Sequence, residues 1–466
     1  MNTARVVVVG AGIAGLTAAY ALRAAAPRIA VTVIDGADRI GGKLVVRAVA
    51  GMDVDVGAEA MLARAPDGIA LATELGLGGQ IVHPATTSAS IFVGGALRPV
   101  PGGTVLGVPS DVDALRRTSV LTESGIAAVQ GESTAGRVVE DASVGSVVGS
   151  RMGREVVDRL VDPLLGGVYA GRADVLSLCA TMPALAAQLR DHDSVGAAAR
   201  AVVAAAAPRQ GPVFATLQPG LGVLPAALAA ASGATIELRN PVREIARTPG
   251  GFRIVAGPVP QPVAIDADAV IVAVPAAKAA MMVRDVAPAA SHELGGIDSA
   301  STALITLAFD DVRLPPGSGV LVPAVDGLSV KALTFSGQKW AHLAGTTTLV
   351  RASVGRHGDV TALQRDDDEL ASIVATEVAA ITGVSARPVD ALVIRWGGAL
   401  PQYAVGHLDR VRRIRAAVDD VPGLAVCGAA YDGIGVPACI RSGRLAAARI
   451  AHHLQHRQVP EGQSRA

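Results

Sequence analysis

Arg5 is followed by four consecutive valines and then Gly10. An unbroken β-branched run of this kind suits a strand covered on both faces, as in a parallel sheet. Residues 16–26 are rich in Ala and favour a helix, which Pro27 ends. Residues 29–34 return to β-branched positions and stop at Asp35. The opening 35 residues therefore predict strand, helix, strand. Two later segments, 267–275 and 424–428, carry the same buried-strand pattern. The second runs through a glycine-rich turn into a helix predicted over 439–454.

Other segments alternate. Residues 91–101 predict a hairpin around Gly94-Gly95. Two strands flank Pro241-Val242-Arg243 within 235–255. Residues 302–309 and 347–353 predict strands of a second sheet, and Lys339, beside Trp340, is placed in a strand there. Helices are predicted over 69–77 and 366–381. Between 102 and 208 the pattern changes to small apolar residues with charges at helical spacing, which predicts a helical insertion. Within it, residues 122–133 are small and polar and predict an unordered loop. The polar tail predicts a frayed end.

The glycines give the opening unit its chemistry. Gly10-x-Gly12-x-x-Gly15 stands between strand and helix. The first glycine makes a tight turn, the second admits a pyrophosphate close to the backbone, and the third lets helix and strand touch. The helix start then offers free N–H groups to phosphate. Asp35 ends the second strand about 20 residues on, where a ribose hydroxyl is expected. Further turns follow at Arg39-Ile40-Gly41-Gly42-Lys43 and Asp55-x-Gly57-Ala58-Glu59, and the chain closes with Gly428-Ala-Ala-Tyr431-Asp-Gly433-Ile434-Gly435-Val436-Pro437. A second helix start there would face an isoalloxazine ring and stabilise negative charge at its carbonyl edge. NAD needs no such third segment, so the combination points to FAD. The fold class that follows is α/β. It comprises a discontinuous Rossmann-like FAD domain (residues 1–68, 212–276 and 405–455), an antiparallel-sheet substrate domain (69–101 and 277–404), a helical insertion (102–211) and a flexible tail (456–466).

Composition narrows the partners. The 466 residues carry 41 basic and 41 acidic side chains, so no positive excess exists to neutralise nucleic-acid phosphates. Cys179, Cys427 and Cys439 are an odd number at spacings unsuited to zinc or a disulfide framework. They read as small buried residues in a reducing cytoplasm. No metal site is expected. The uncharged stretch between Arg5 and Arg23 could pass for a secretory signal, but its three glycines favour the nucleotide reading. No apolar run reaches the length of a membrane span.

The longer motifs separate families. Val161-Asp162-Pro163-Leu164-Leu165-Gly166-Gly167-Val168-Tyr169-Ala170-Gly171, Trp396-Gly397-Gly398-Ala399-Leu400-Pro401-Gln402-Tyr403 and the closing segment resemble the flavin amine oxidase superfamily. Within it, they resemble the porphyrinogen oxidases of haem biosynthesis, most closely the actinobacterial coproporphyrinogen III form. The resemblance spans nearly the whole chain. It implies FAD contacts at Gly10, Ala11, Gly12, Ile13, Ala14, Gly15, Asp35, Lys43, Gly57, Ala58, Glu59, Ala60, Val242, Trp396, Ile434, Gly435 and Val436. The superfamily usually carries Glu at the position of Asp35; Asp is one methylene shorter but still accepts a ribose hydrogen bond.

The implied reaction oxidises coproporphyrinogen III to coproporphyrin III, with dioxygen as acceptor and hydrogen peroxide as product. Transient contacts with other haem-pathway enzymes fit this reading. Mitochondrial-type protoporphyrinogen oxidases carry an Arg just before the hairpin. Here that stretch is Thr86-Thr-Ser-Ala-Ser90, which favours the substrate with four propionates. Arg64 and Lys339 are candidates to meet propionates, and Tyr169 a candidate to line the cavity. His407 follows Pro401-Gln-Tyr and is either near the flavin or structural. Positioning and shielding carry such a reaction, so no catalytic acid or base is assigned. The alternatives are a protoporphyrinogen IX oxidase, another amine-oxidase-like flavoenzyme such as an amine oxidase or carotenoid desaturase, and a non-catalytic flavin-binding scaffold.

Overall fold

A computed structural model describes residues 3–134, 136–138, 140–206 and 211–457. The tail predicted from residue 456 lies outside these, apart from 456–457, which belong to the last helix.

Five parallel strands form the first sheet, in the order Thr235–Glu237, Ala30–Ile34, Arg5–Val9, Ala269–Val272, Leu424–Val426. The side-chain period of two explains why the first strand is valine throughout. Val6 and Val8 bury against the helices Ile13–Ala25, Val223–Ser232 and Val436–Arg457. Val7 and Val9 bury on the other face, against the antiparallel sheet Val242–Thr248, Gly251–Ala256, Val263–Ala267 and the helices Ala276–Val283 and His407–Asp419. The single strand predicted over 267–275 is in fact shared between these two sheets. The chain crosses at Asp268, whose amide donates to the Arg5 carbonyl at 2.8 Å and whose carboxylate accepts the Arg5 amide at 2.7 Å.

A seven-stranded sheet stands apart, in the order Asp390–Pro401, Ser299–Asp310, Thr347–Val354, Val330–Phe335, Gly319–Leu321, Ser90–Val93, Ala96–Pro99. It is not wholly antiparallel: Gly319–Leu321 pairs parallel with Ser90–Val93. The hairpin comes from a distant part of the chain and so is free to dock in either direction. Lys339 does not sit in a strand. It ends the single helical turn Ser336–Lys339 that leaves strand Val330–Phe335.

The insertion between these sheets is helical, with its own core of Leu115, Val148, Leu160, Leu165, Leu176 and Leu185. Its central helix runs over 154–169 with a π-turn at Val157–Val161. Pro163 supplies the cause: it has no N–H to give and its ring crowds the preceding turn, which the wider turn relieves. The loop predicted over 122–133 is a correction. Residues Glu123–Gln130 are helical, and the polar residues that suggested disorder serve as caps and anchors. Thr122 accepts the Gly125 amide at 3.2 Å, Glu155 accepts the Thr122 amide and hydroxyl at 2.9 and 2.7 Å, and Glu132 accepts the Ser194 hydroxyl at 2.7 Å.

The first and last helices approach backbone to backbone. A Cβ on Gly443 would overlap the Ala14 carbonyl oxygen. Gly443→Val should therefore destabilise the fold by about 2 kcal/mol or more, read as a lower midpoint in urea; an unchanged midpoint would show that the helices can separate freely.

Candidate active site

The four glycine turns meet at the carboxyl end of the parallel sheet. Gly10 has φ 111°, and a Cβ there would lie 2.5 Å from the Ala273 carbonyl oxygen. A Cβ on Gly15 would overlap the Gly10 carbonyl. Gly12 differs, because its missing Cβ faces open space. It caps helix Ile13–Ala25 without a side-chain bond, and the first turn holds no acid. The helix thus presents amide donors and its positive end to that space. Asp35 supports the turn directly: its carboxylate accepts the Ala11 amide at 2.7 Å and the Ala37 amide at 2.8 Å. Two bonds leave lone-pair capacity for a ribose hydroxyl. Val242, 8% exposed, begins its strand beside Pro241, against which Gly36 packs.

The second turn lies along the first. The Gly41 amide donates to the Ala11 carbonyl at 2.7 Å, and Arg39 donates to the Gly42 carbonyl at 2.9 Å. Lys43 faces Cys439 and has no acidic partner among the described residues; burial lowers its pKa. Its carbonyl accepts the Ala58 amide at 3.0 Å, and a Cβ on Gly57 would overlap that same oxygen. Trp396 braces the segment by donating from Nε1 to the Val56 carbonyl at 2.9 Å, and the Arg39 guanidinium stands 5.7 Å from its ring centre.

Below this segment lies a charge cluster. Glu59 pairs with Lys339 and, at 2.7 Å, with Arg351, which also donates to the Gly57 carbonyl. Burial alone would raise the Glu59 carboxyl, but the two cations overrule it and hold its pKa at about 2. Asp55 is the converse. Burial pushes it up to about 7, against the Leu221 amide, which donates to it at 3.0 Å, and the charge of Arg351. Asp55, Glu59 and Arg351 border a small cavity with Thr216, Trp340 and His342. Ala60 packs into the adjoining apolar cluster with Val45 and Trp340.

The closing segment completes the site. Gly428 and Gly433 have φ of 123° and 136°, and the last helix starts at Val436, directly after Ile434 and Gly435. Tyr403 spans the turn, donating to the Ala429 carbonyl at 2.6 Å and accepting the Gly433 amide at 2.8 Å. His407 stacks on Tyr403 at 3.9 Å, and burial lowers its pKa to about 4, so it is a neutral packing group. Tyr169 stands 5.6 Å from Tyr403 on the insertion side.

The two cation candidates part company. Arg64 is exposed and has no partner among the described residues. Lys339 is committed to Glu59. Sequence reasoning missed Arg351, Asp55 and Tyr403 as parts of one site. The only signals were an Asp-x-Gly-Ala-Glu string read as a turn and a Tyr read as a family motif. Cys427 and Cys439 are buried, and Cys179 is half-buried. Among the described residues no cluster of His, Cys, Asp or Glu could hold a metal, and no helix is long and apolar enough to cross a membrane.

The state of Asp55 is testable. Its folded pKa lies above the unfolded one, so the native state keeps a proton that the unfolded chain releases. The associated stability is full below about pH 4 and is lost as pH rises through 7. Between pH 5 and 8 the natural protein should lose roughly 2–3 kcal/mol more than Asp55→Asn in urea unfolding; parallel curves would contradict the assignment.

The model of the flavin containing amine oxidoreductases matches residues 13–451. The coproporphyrinogen III oxidase of Mycobacterium leprae is 39% identical over 441 residues, 93% of this chain and 95% of its own. That of Bacillus subtilis is 30% identical over 459 residues, 95% of this chain and 96% of its own. A solved Exiguobacterium structure, assigned as a protoporphyrinogen oxidase, superposes with a TM-score of 0.87 at 32% identity, covering 97% of this chain and 99% of its own. The open cradle at Gly12, the uncapped helix and the unanswered charge of Lys43 fit a bound dinucleotide. With a match that runs from the opening helix to the last, the chain belongs to the flavin containing amine oxidoreductase family.

Proposed function

We propose that this protein is an FAD-dependent oxidase that converts coproporphyrinogen III to coproporphyrin III in haem biosynthesis. The observation that carries the reading is the 39% identity to a coproporphyrinogen III oxidase over 95% of that enzyme's length. It is supported by the absence of Arg in Thr86-Thr-Ser-Ala-Ser90. FAD held at the glycine turns would supply a hydride acceptor; in each round a meso hydride and a pyrrole N–H proton would leave the macrocycle and end on dioxygen as hydrogen peroxide.

The chain's own residues hold and shield. Gly12, Ile13, Ala14 and Gly15 offer the helix start to the pyrophosphate, between Gly10 and Ala11 on one side and Asp35 with Val242 on the ribose side. Lys43, Gly57, Ala58, Ala60, Trp396, Ile434, Gly435 and Val436 are the residues that would hold the rest of the cofactor, with Trp396 bracing the Val56–Gly57 backbone. Glu59 contributes through its backbone, because Lys339 and Arg351 hold its carboxylate. Arg64 is the cation left to meet a propionate, and Tyr169 borders the substrate side. A cytoplasmic location and passing contacts with other haem-pathway enzymes follow from the same reading.

The second reading, a protoporphyrinogen IX oxidase, is favoured by the assignment of the Exiguobacterium structure. Porphyrin fluorescence with both porphyrinogens in parallel separates the two. The first reading expects kcat/KM at least about tenfold higher for coproporphyrinogen, equivalent to about 1.4 kcal/mol; preference for protoporphyrinogen would reverse the assignment. Arg64→Ala should raise KM for coproporphyrinogen roughly three- to tenfold with kcat little changed, and an unchanged KM would remove Arg64 from the site.

A further inference from the structure

We infer that Tyr403 is a positioning residue, whose hydroxyl holds the closing turn and thereby sets where the last helix begins relative to the flavin. The inference rests on the FAD reading above.

One phenol oxygen bridges two points of the closing turn, whose other side-chain ties include the Ser442 hydroxyl, which accepts the Gly428 amide at 3.1 Å, and the ion pair of Arg415 with Asp432. The Tyr403 hydroxyl donates to the Ala429 carbonyl at 2.6 Å and accepts the Gly433 amide at 2.8 Å. Both partners lie in the turn between strand Leu424–Val426 and helix Val436–Arg457. The turn is conformationally demanding: Gly433 has φ 136°, and a Cβ there would lie 2.9 Å from the Ala438 methyl. Gly433 is half-buried, so an acceptor from outside the turn spares its amide a costly loss of hydrogen bonding. Tyr403 supplies it from the far side of the site.

Tyr403 is itself immobilised. It is 2% exposed, with His407 stacked 3.9 Å from its ring and Tyr169 5.6 Å away. Its carbonyl accepts the Ser177 amide at 2.7 Å, and its neighbour Gln402 donates to the Tyr169 carbonyl at 2.9 Å. The helical insertion thus fixes Tyr403, and Tyr403 fixes the turn that leads into Ile434, Gly435 and Val436. A wall that borders the substrate side is joined by one side chain to the segment proposed to face the cofactor.

The test is Tyr403→Phe in the flavin-loaded enzyme. Phe keeps the ring stack and removes both hydrogen bonds. The expected result is a displaced long-wavelength flavin band, a lowered midpoint potential, and kcat reduced about tenfold with KM changed less than twofold. A variant that melts earlier yet keeps the natural band, potential and kcat would reduce Tyr403 to a structural residue and overturn the inference. Amide exchange at Gly433 in the unmodified holoenzyme gives a second, independent reading. Slow exchange is expected, and exchange at the rate of an exposed turn would overturn the inference without any variant. Failure of the purified natural protein to hold FAD after reconstitution would instead strike the reading on which the inference rests.

Discussion

Backbone packed directly against backbone is the constraint on which the rest of this structure depends. At Gly15 a side chain would overlap the Gly10 carbonyl, at Gly57 the Lys43 carbonyl, and at Gly443 the Ala14 carbonyl. Each contact removes the thickness of a side chain between two elements. The first seats the opening helix on its strand, the second seats the Asp55–Glu59 turn on the Lys43 turn, and the third seats the last helix on the first. Two helix starts and two glycine turns are thereby drawn to one end of one sheet. The open face of Gly12 matters only because the glycines around it are filled.

The charge cluster performs a different task. Glu59 belongs to the turn beside the parallel sheet, whereas Arg351 lies in the seven-stranded sheet and Lys339 on the helical turn that leaves it. Buried pairs of this type add little net stability, but breaking one strands a charge at a cost of roughly 3–5 kcal/mol. The pairs therefore register one sheet against the other more than they stabilise either. Trp396 repeats the arrangement with a neutral bond to Val56. Two independent ties thus hold the Val56–Gly57 backbone against the sheet that carries the substrate side.

What could be read from the chain follows from the range of the interactions involved. The strand Arg5–Val9 and helix Ile13–Ala25 are specified by neighbours in sequence, so their pattern is local and legible. Residues 122–133 misled because the same Thr and Glu that signal disorder by composition act here as caps, anchored by Glu155 and by Ser194. Lys339 resembles a free cation until its partner is known, and that partner lies 280 residues away. Arg351 carries no motif, and its role exists only through Gly57 and Glu59. Tyr403 was visible as part of a family string, but its chemistry is a bond to Gly433, which sequence spacing does not encode. The family was legible because its motifs are strings; the wiring of the site was not, because its partners meet only in three dimensions.

The glycine turns hold a flavin, and a porphyrinogen reduces it: this is the central claim. Anaerobic titration of the purified, flavin-loaded protein with coproporphyrinogen III tests it most directly. The account predicts that flavin absorbance bleaches as porphyrin fluorescence grows, with about three flavins reduced for each macrocycle fully oxidised, and that admitting dioxygen restores the colour. A flavin that stays oxidised in the presence of excess coproporphyrinogen would contradict it.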